Sequence, residues 1–488
     1  MTTQKHMNRR KFVKATALVA ASTAFGPGCT RLFDSDKPDN SEAIPLKRVL
    51  GKTGFEVTTL GLGGQASLQW TPADVDPVKI ILKAFDLDIN YFDTSNVYGP
   101  SQVNYGKAFQ LKKLIPGISG YDDELRQAIF LTSKTTERNA DGAVSDLHRS
   151  LSQMFGDGNG NYPEGAYLNM MLIHSISYRR HVDLVYGGLD NPNAEQTGAL
   201  TALRDYRDGT NFTGLNPGNK KLIHHIGFSG HFDPSVNMYM IQCDHTNLLD
   251  AMLIPVNAND KLNFNMQYNV IPLARARNMG VIAMKVFADG AMYTKPAEWS
   301  TSAEHVIRTV GSQSLPSSSL IKYSLTTPGV HLAIIGIGQI SDNEADCQLC
   351  NNLTAAQILP EGLSESERTA IEDLAKVVKG GNTNYFQETF SPLTAPKDVS
   401  VEQINENNVR KAFISWNTAY AGDAPLKTYE IWRDGIRINE IPYAPQITTY
   451  PFKYLDTLSD KIAHTYIVKV VDGKSRIASS SPVALSQI

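Results

Sequence analysis

The feature that most constrains the fold is a regular alternation of short apolar segments with amphipathic segments over residues 57–374. An alternation of strand patterns with helical patterns predicts a parallel sheet, and eight such units fit a closed (β/α)₈ barrel, the TIM-barrel fold. An open doubly wound sheet is the alternative, but no Gly-x-Gly-x-x-Gly segment opens the first unit. The eight predicted strands are residues 57–62, 91–93, 129–133, 167–173, 223–229, 251–256, 281–286 and 332–336.

After about residue 390 the pattern changes, because apolar and polar residues now alternate with a period of two. Trp416, Tyr429 and Tyr466 lie in such segments, and an Asp-Gly pair at residues 434–435 supplies one of the turns between them. Short alternating strands with turns predict an all-β sandwich over residues 393–488. The segment resembles a fibronectin type III domain, which implies an immunoglobulin-like sandwich. We expect it to fold independently, to contribute no catalytic group, and to be available for a glycan or protein ligand.

The amino terminus carries the pattern of an export signal. Arg9 and Arg10 precede a moderately apolar stretch at residues 15–25, and small residues follow that stretch. The paired arginines resemble a bacterial twin-arginine signal over residues 1–29, which implies export of a folded protein to the periplasm or cell envelope. A buried N-terminal helix is the alternative interpretation.

Cys29 ends the apolar stretch, and two outcomes remain open for it. A lipid attached to Cys29 after cleavage would anchor the protein to a membrane, whereas ordinary cleavage would leave no anchor. Residues 30–45 are polar and rich in acids, so they predict a linker. The predicted barrel domain then covers residues 46–389.

Composition excludes several classes of protein. Lys and Arg number 46 and Asp and Glu number 49, so the formal net charge is −3 and an electrostatically driven nucleic-acid binder is excluded. Four cysteines in 488 residues exclude a disulfide framework. No apolar run reaches the roughly 20 residues of a membrane-spanning helix. Cys347 and Cys350 have no second cysteine pair or histidine cluster nearby, so we predict no metal site.

Four chemically reactive side chains follow neighbouring strands of the predicted barrel. Asp93 ends the second strand and Tyr98 follows it, Lys134 ends the third strand, and His174 ends the fourth. Each of these residues alone is more often structural than catalytic. Because the carboxyl ends of barrel strands converge on one face, we expect the four side chains to form one catalytic site.

The four residue types fit an acid/base device. A free tyrosine holds its proton with a pKa near 10, and an adjacent lysine ammonium lowers that pKa. The Asp93 carboxylate would position Lys134, and His174 would orient a carbonyl oxygen near Tyr98. A group that protonates an alkoxide, or deprotonates an alcohol, is what hydride transfer to or from a carbonyl carbon requires. The hydride itself must come from a cofactor.

Several motifs resemble those of the aldo/keto reductase family. Residues 50–57 read Leu-Gly-Lys-Thr-Gly-Phe-Glu-Val and resemble the family's opening, and the segments around Asp93 and Tyr98 resemble its first catalytic motif. The resemblance implies a (β/α)₈ barrel, a nicotinamide cofactor extended across its top, and Tyr98 as the acid/base tuned by Lys134 and Asp93. The remaining motifs are residues 60–64, 106–108, 226–231 and 334–336.

The same resemblance implies which residues contact the cofactor and the substrate. Trp70 follows the first strand and is either a wall of the substrate pocket or a loop anchor, and His231 is predicted to line the same pocket. Lys285 would face the cofactor's pyrophosphate. The predicted cofactor-binding residues are Ser229, Gly230, Met284, Lys285, Phe287 and Gly336.

The chain departs from the family pattern at the cofactor site. Leu253 stands where a glutamine commonly contacts the carboxamide, Met284 replaces a tyrosine that stacks on nicotinamide, and Gly230 replaces an asparagine. No Lys or Arg occurs between Gly336 and Arg368, so the usual clamp for the 2′-phosphate of NADP is missing. The predicted cofactor is therefore NADP or NAD, and the missing clamp favours NAD.

The sequence thus predicts an exported, NAD(P)-dependent oxidoreductase acting on a small carbonyl or alcohol, for which a polyol or sugar-derived compound is plausible. Twin-arginine export carries folded proteins, so a cofactor loaded before export would have to be tightly held. The alternative function is a cofactor-binding or sensory protein that keeps the barrel with little catalysis, which the departures at Leu253 and Met284 favour.

Overall fold

The computed structural model describes residues 45–191, 193–389, 392–407 and 409–487. The predicted export signal, Cys29 and nearly all of the predicted linker lie outside these residues. In the described part of the chain, no helix is both long and apolar enough to cross a membrane.

Eight parallel strands close into a barrel, which confirms the predicted (β/α)₈ fold. The first and last barrel strands pair directly, with Ala333 opposite Leu60, and this pairing completes the closure. The barrel strands are β3 (Leu60–Leu62), β4 (Tyr91–Asp93), β5 (Phe130–Thr135), β6 (Leu168–Ile173), β7 (Ile223–Ser229), β8 (Leu249–Pro255), β9 (Gly280–Met284) and β10 (Leu332–Ile335), preceded by β1 (Lys47–Val49) and β2 (Glu56–Thr58).

The predicted first strand, residues 57–62, is in fact two strands. Val57 belongs to β2, which pairs antiparallel with β1, whereas Leu60 belongs to the barrel. The chain changes partners at Thr59, whose N–H donates to the Leu46 carbonyl while its own carbonyl accepts from Ala333. Val57 is nevertheless fully buried because it packs into the barrel interior beside Tyr91, so apolarity alone could not separate the two strands.

Helices cover the outside of the barrel and begin where local capping chemistry favours them. Asp76 accepts a hydrogen bond from the N–H of Val78 at the start of the first helix, and Ser364 with Glu367 forms a reciprocal capping box at the start of the last. The helices are α1 (Pro77–Asp86), α2 (Ser101–Leu111), α3 (Asp123–Ala128), α4 (Ala140–Phe155), α5 (Arg179–Val185), α6 (Ala199–Asp208), α7 (Pro234–Gln242), α8 (Met266–Ala276), α9 (Ser317–Leu325), α10 (Gln348–Ala355) and α11 (Glu365–Val377).

The C-terminal segment forms two antiparallel sheets, as the period-two pattern predicts. One sheet has the order β11-β12-β15, and the other β14-β13-β16-β17 with β18 on β16. Trp416, Tyr429 and Tyr466 are buried between the sheets. The strands are β11 (Lys397–Glu406), β12 (Val409–Asn417), β13 (Leu426–Arg433), β14 (Ile436–Pro442), β15 (Phe452–Leu458), β16 (His464–Asp472), β17 (Ile477–Ser479) and β18 (Val483–Leu485).

The sandwich is joined to the barrel by buried hydrogen bonds at the start of α8. Asn269 Nδ2 donates to the Ala421 carbonyl over 3.2 Å, and the Ala421 N–H donates to Asn269 Oδ1 over 2.8 Å. Asn265 Nδ2 donates to the Gly422 carbonyl over 2.8 Å, and Tyr268 packs against the sandwich core. The sandwich therefore uses barrel surface for specific polar contacts as well as burying its own core.

The hydrogen bonds between Asn269 and Ala421 are expected to contribute measurably to the free energy of unfolding. In Asn269→Ala the buried N–H and carbonyl of Ala421 lose their partners, which costs about 1–3 kcal/mol. We expect thermal or denaturant unfolding to show this loss. The control is Asn159→Ala, because Asn159 donates only within its own exposed turn. Equal stability of the two variants would contradict a joining role for Asn269.

Candidate functional site

A cleft with about 890 Å³ of non-protein space opens at the carboxyl ends of the barrel strands. The side chains of Asp93 and Tyr98 line it, together with Trp70 from the connection after β3. Glycines at residues 63, 64 and 336 line one side of it, and a Cβ on Gly63 would lie 2.9 Å from the backbone nitrogen of Gly336. Of the four reactive residues, Asp93 and Tyr98 thus line the cleft, and Lys134 and His174 contact them without being part of the lining.

At the floor of the cleft lies a buried ion pair. Lys134 Nζ is 2.5 Å from Asp93 Oδ1 and donates a second hydrogen bond, of 2.8 Å, to the Thr94 carbonyl. Both side chains are almost fully buried. Burial lowers the pKa of Lys134 and raises the pKa of Asp93, while the attraction between the two charges acts in the opposite direction on each. The second carboxylate oxygen, Asp93 Oδ2, is buried and makes no hydrogen bond to the described residues.

Tyr98 sits above this pair and is 8% exposed. The Lys134 ammonium lies 4.7 Å from the centre of the Tyr98 ring. Burial raises the pKa of Tyr98 well above its usual value, and the charges of Asp93 and Asp289 add to the rise. Burial therefore outweighs the expected lowering of the Tyr98 pKa by Lys134. The Lys134 ammonium faces the Tyr98 ring and forms its ion pair with Asp93. Tyr98 keeps its proton at neutral pH.

His174 completes the group, because its ring meets the Tyr98 ring edge-on with 5.7 Å between centres. Its Nδ1 lies 3.3 Å from Ser95 Oγ, and its backbone carbonyl accepts a hydrogen bond from Arg138. Burial lowers the pKa of His174 well below its usual value, and the charges of Lys134 and other nearby cations lower it further. His174 is therefore neutral at pH 7 and can hold a carbonyl oxygen with one N–H.

The structure brings some of the predicted cofactor-binding residues into the cleft and leaves others outside its lining. Met284, Lys285, Phe287 and Gly336 line the cleft, as does Leu253. Leu253 and Met284 give the cleft an apolar face suited to a flat ring.

Ser229 and Gly230 make protein contacts instead. Ser229 Oγ accepts a hydrogen bond of 2.9 Å from the N–H of Ser175. A Cβ on residue 230 would lie 1.9 Å from Asn237 Oδ1, so a side chain at this position has no room. The buried side chain of Asn237 therefore leaves space only for a glycine at residue 230.

A long connection between β9 and α9, which the sequence motifs do not indicate, covers part of the cleft. Ser300, His305 and Ile307 from this connection line the cleft. Trp299 reaches His231 with 5.8 Å between ring centres, and Arg308 forms a 2.6 Å ion pair with Asp74 of the connection after β3. The available signal was the length of the segment between two barrel elements, since it has no helical or strand periodicity.

The cysteine pair lies at the start of α10, where Cys347 caps the helix and Sγ accepts from the N–H of Cys350 over 3.4 Å. Burial raises the pKa of Cys350 to about 12. Among the residues that the structure describes, no group of three or more His, Cys, Asp or Glu could hold a metal ion.

Comparison with known proteins connects this geometry to a family. The model of the Aldo/keto reductase family matches residues 59–358. The L-galactose dehydrogenase of Arabidopsis thaliana is 23% identical over 333 residues, which cover 66% of this chain and 92% of that protein.

Solved structures of similar proteins include an aldo-keto reductase from Bacillus halodurans in its holo form, with 19% identity and a TM-score of 0.43 over 68% of this chain and 96% of that one. Another is an aldo/keto reductase from Klebsiella pneumoniae in complex with NADP and acetate, with 15% identity and a TM-score of 0.42 over 67% and 94%.

The buried ion pair predicts that Lys134 contributes more to the free energy of unfolding than Lys112, a lysine in a surface ion pair. Lys134→Met leaves the Asp93 carboxylate buried without its cation, which costs about 3–5 kcal/mol of unfolding free energy. Lys112→Met is the control, because Lys112 is 2.8 Å from Asp86 in a surface ion pair worth about 0–1 kcal/mol. Denaturant unfolding of both variants measures the difference. A Lys134 variant no less stable than the Lys112 variant would show that the pair is not held together as the structure has it.

Proposed function

The chain belongs to the aldo/keto reductase family, and on that premise we propose that it is an exported oxidoreductase that interconverts a carbonyl and an alcohol by hydride transfer with a nicotinamide cofactor. The observation that carries the proposal is the arrangement of Tyr98 beside His174 and above the Lys134–Asp93 ion pair, at the floor of an open cleft. The site then combines a protonated acid, Tyr98, with a neutral hydrogen-bond donor, His174, and a buried cation, Lys134.

The lining of the cleft suits a nicotinamide ring. Leu253 and Met284 supply an apolar surface on which a flat ring can lie. When bound, the cofactor supplies or accepts the hydride.

The protein's own residues provide the proton and the orientation. His174 donates a hydrogen bond to the carbonyl oxygen and fixes it near Tyr98 Oη. In reduction the Tyr98 hydroxyl gives its proton to the oxygen that gains an electron pair, and the Lys134 ammonium stabilises the phenolate left behind. Because burial keeps Tyr98 protonated and His174 neutral, both residues have the protonation state that reduction needs at neutral pH.

A sugar or sugar-derived carbonyl is the proposed substrate class. The L-galactose dehydrogenase that resembles this chain supports it by its name. Trp70 and His231 would form the walls of the substrate pocket, since Trp70 lines the cleft and His231 contacts the His174 ring with 6.1 Å between centres.

The proposed cofactor is NAD in preference to NADP, and it is tightly held. The segment after β10 carries exposed acids at residues 342, 344 and 346, and no Lys or Arg lies in its sequence before Arg368. These acids would repel a 2′-phosphate. The connection that contains Trp299 lies over the cleft and is fastened by the Arg308–Asp74 ion pair, which would slow release.

Export by the twin-arginine route belongs to the same proposal. The paired arginines at residues 9 and 10 support it, and a cofactor that stays bound would remain with the protein outside the cytoplasm. A lipid at Cys29 and a glycan or protein ligand of the sandwich are further parts of this proposal. If the wild-type chain binds NAD(H) but reduces no carbonyl, the alternative function of a cofactor-binding or sensory protein replaces the enzyme.

The acid/base role predicts the behaviour of Tyr98→Phe. Losing a positioned acid lowers carbonyl reduction by about 10²–10⁴-fold while NADH binding, followed by fluorescence titration, stays unchanged. Tyr91→Phe is the matched control, because the Tyr91 hydroxyl only accepts a hydrogen bond from Thr132 inside the barrel. More than about a tenth of wild-type turnover in the Tyr98 variant would show that another group delivers the proton.

Cofactor retention predicts what purified protein contains. We expect protein prepared without added nucleotide to release near-stoichiometric NAD(H) on denaturation, with little NADP(H), as measured by enzymatic cycling of the supernatant. Arg308→Ala removes the exposed ion pair with Asp74, worth about 0–1 kcal/mol, so we expect at most a small fall in the retained fraction, and none in Lys112→Ala. Protein that is empty as isolated and exchanges cofactor freely would contradict tight binding.

A further inference from the structure

Lys285 occupies an unusual position at the end of β9. Its backbone has a φ of +56°, a region that residues other than glycine rarely adopt and that concentrates at functional sites. This conformation turns the chain so that the ammonium lies 4.3 Å from the centre of the Trp299 ring and 4.9 Å from that of Phe386. Two aromatic rings from separate connections thus hold one cation beside the cleft that Lys285 lines.

The Lys285 ammonium lacks an acidic partner, unlike the other charges of the cleft. Asp93 is paired with Lys134, and Asp289 accepts hydrogen bonds of 2.8 Å from both Lys295 and Tyr385. No carboxylate oxygen of the described residues forms an ion pair with Lys285. Burial lowers its pKa to about 8, with Asp289 acting to raise it and Lys295 to lower it, so the ammonium remains largely charged at pH 7.

A row of aromatic rings connects this cation to the acid/base site. The Tyr98 and His174 rings are 5.7 Å apart, His174 and His231 are 6.1 Å apart, and His231 and Trp299 are 5.8 Å apart between ring centres. Lys285 lies over the last ring of the row. His231 Nδ1 is buried without a hydrogen-bond partner among the described residues. The row therefore begins at the proton donor and ends at Trp299, the ring over which the Lys285 ammonium lies.

We propose that Lys285, which lines the cleft, binds a carboxylate at the far end of the substrate while the substrate's carbonyl lies beside Tyr98 in the same lining. The substrate class is then a sugar acid or a related oxo-acid, whose carbonyl and carboxylate are several bonds apart. This inference rests on the proposed function and deepens it.

The physical reason is the state of the cation before binding. A partly buried ammonium held by aromatic faces has lost much of its water, so an anionic oxygen that reaches it forms a strong charge-assisted hydrogen bond. The same chemistry is offered by the pyrophosphate of the cofactor, which the sequence argument assigned to Lys285. The contacts of Lys285 with Trp299 and Phe386, and the neighbouring His231, favour the substrate carboxylate.

The test uses two sugars that differ at one carbon, D-galacturonate and D-galactose, with the full-length protein saturated with NADH. Isothermal calorimetry is expected to show tighter binding of D-galacturonate to the wild type. In Lys285→Met we expect this preference to fall by about 10- to 100-fold, with D-galactose binding unchanged. Lys285→Arg should restore part of it. Lys261→Met is the control away from the cleft, since Lys261 lies over the Tyr268 ring, although it also pairs with Glu372 over 2.7 Å.

A pH series gives a second readout. The Lys285 pKa of about 8 means that the ammonium is lost as the pH rises through 8. D-galacturonate binding to the wild type should weaken over that interval while D-galactose binding stays constant.

Two results would overturn the inference. One is equal or undetectable binding of the two sugars to the wild type. The other is a Lys285→Met variant that binds NADH more weakly, by fluorescence titration, and keeps its sugar preference, because the anion at Lys285 would then be the pyrophosphate. Binding is measured without turnover, so a protein that selects D-galacturonate through Lys285 but transfers no hydride would overturn only the proposed function.

Discussion

A charged pair inside a barrel is stable only if each charge meets the other at close range and both are fixed by further hydrogen bonds. Lys134 and Asp93 meet the first of these requirements because they lie at the carboxyl ends of adjacent parallel strands. The Thr94 carbonyl fixes the ammonium, whereas Asp93 Oδ2 has no hydrogen-bond partner among the described residues. The pair depends on the register of β4 and β5, in which Asp93 lies opposite Thr132. Its position fixes the cation beneath Tyr98, so the chemistry of the cleft follows from the barrel's strand pairing.

Much of this could be predicted from the sequence because the barrel imposes a rule on position. Residues at the carboxyl ends of the strands share one face, so Asp93, Lys134 and His174 could be placed together from their strands alone. The closed sheet and the sandwich followed from periodicity for the same reason, since burial on one face dictates the spacing of apolar residues. The structure confirms both folds.

What could not be predicted depends on contacts between segments distant in sequence. Nothing in the sequence near Ser229 indicates that its hydroxyl accepts from Ser175, or that Asn237 fills the space beside Gly230. The partner change at Thr59 is hidden because Val57 is as buried as a barrel residue. The direction of the Tyr98 pKa shift was also missed, since burial is a property of the packed site and outweighs the single neighbouring charge.

The connection after β9 shows how the same barrel can acquire its own specificity. Barrel strands fix the proton donor and the orienting histidine, and a change there would disturb the core. Connections carry no such constraint, so Trp299 can be placed against His231 and Lys285 without altering any strand. Every acid lining this cleft in the described structure already has a cation, whereas Lys285 has only aromatic faces. An ammonium without an acidic partner costs free energy in such a place. An anion that binds in the cleft next to Lys285 best explains why the lysine is there.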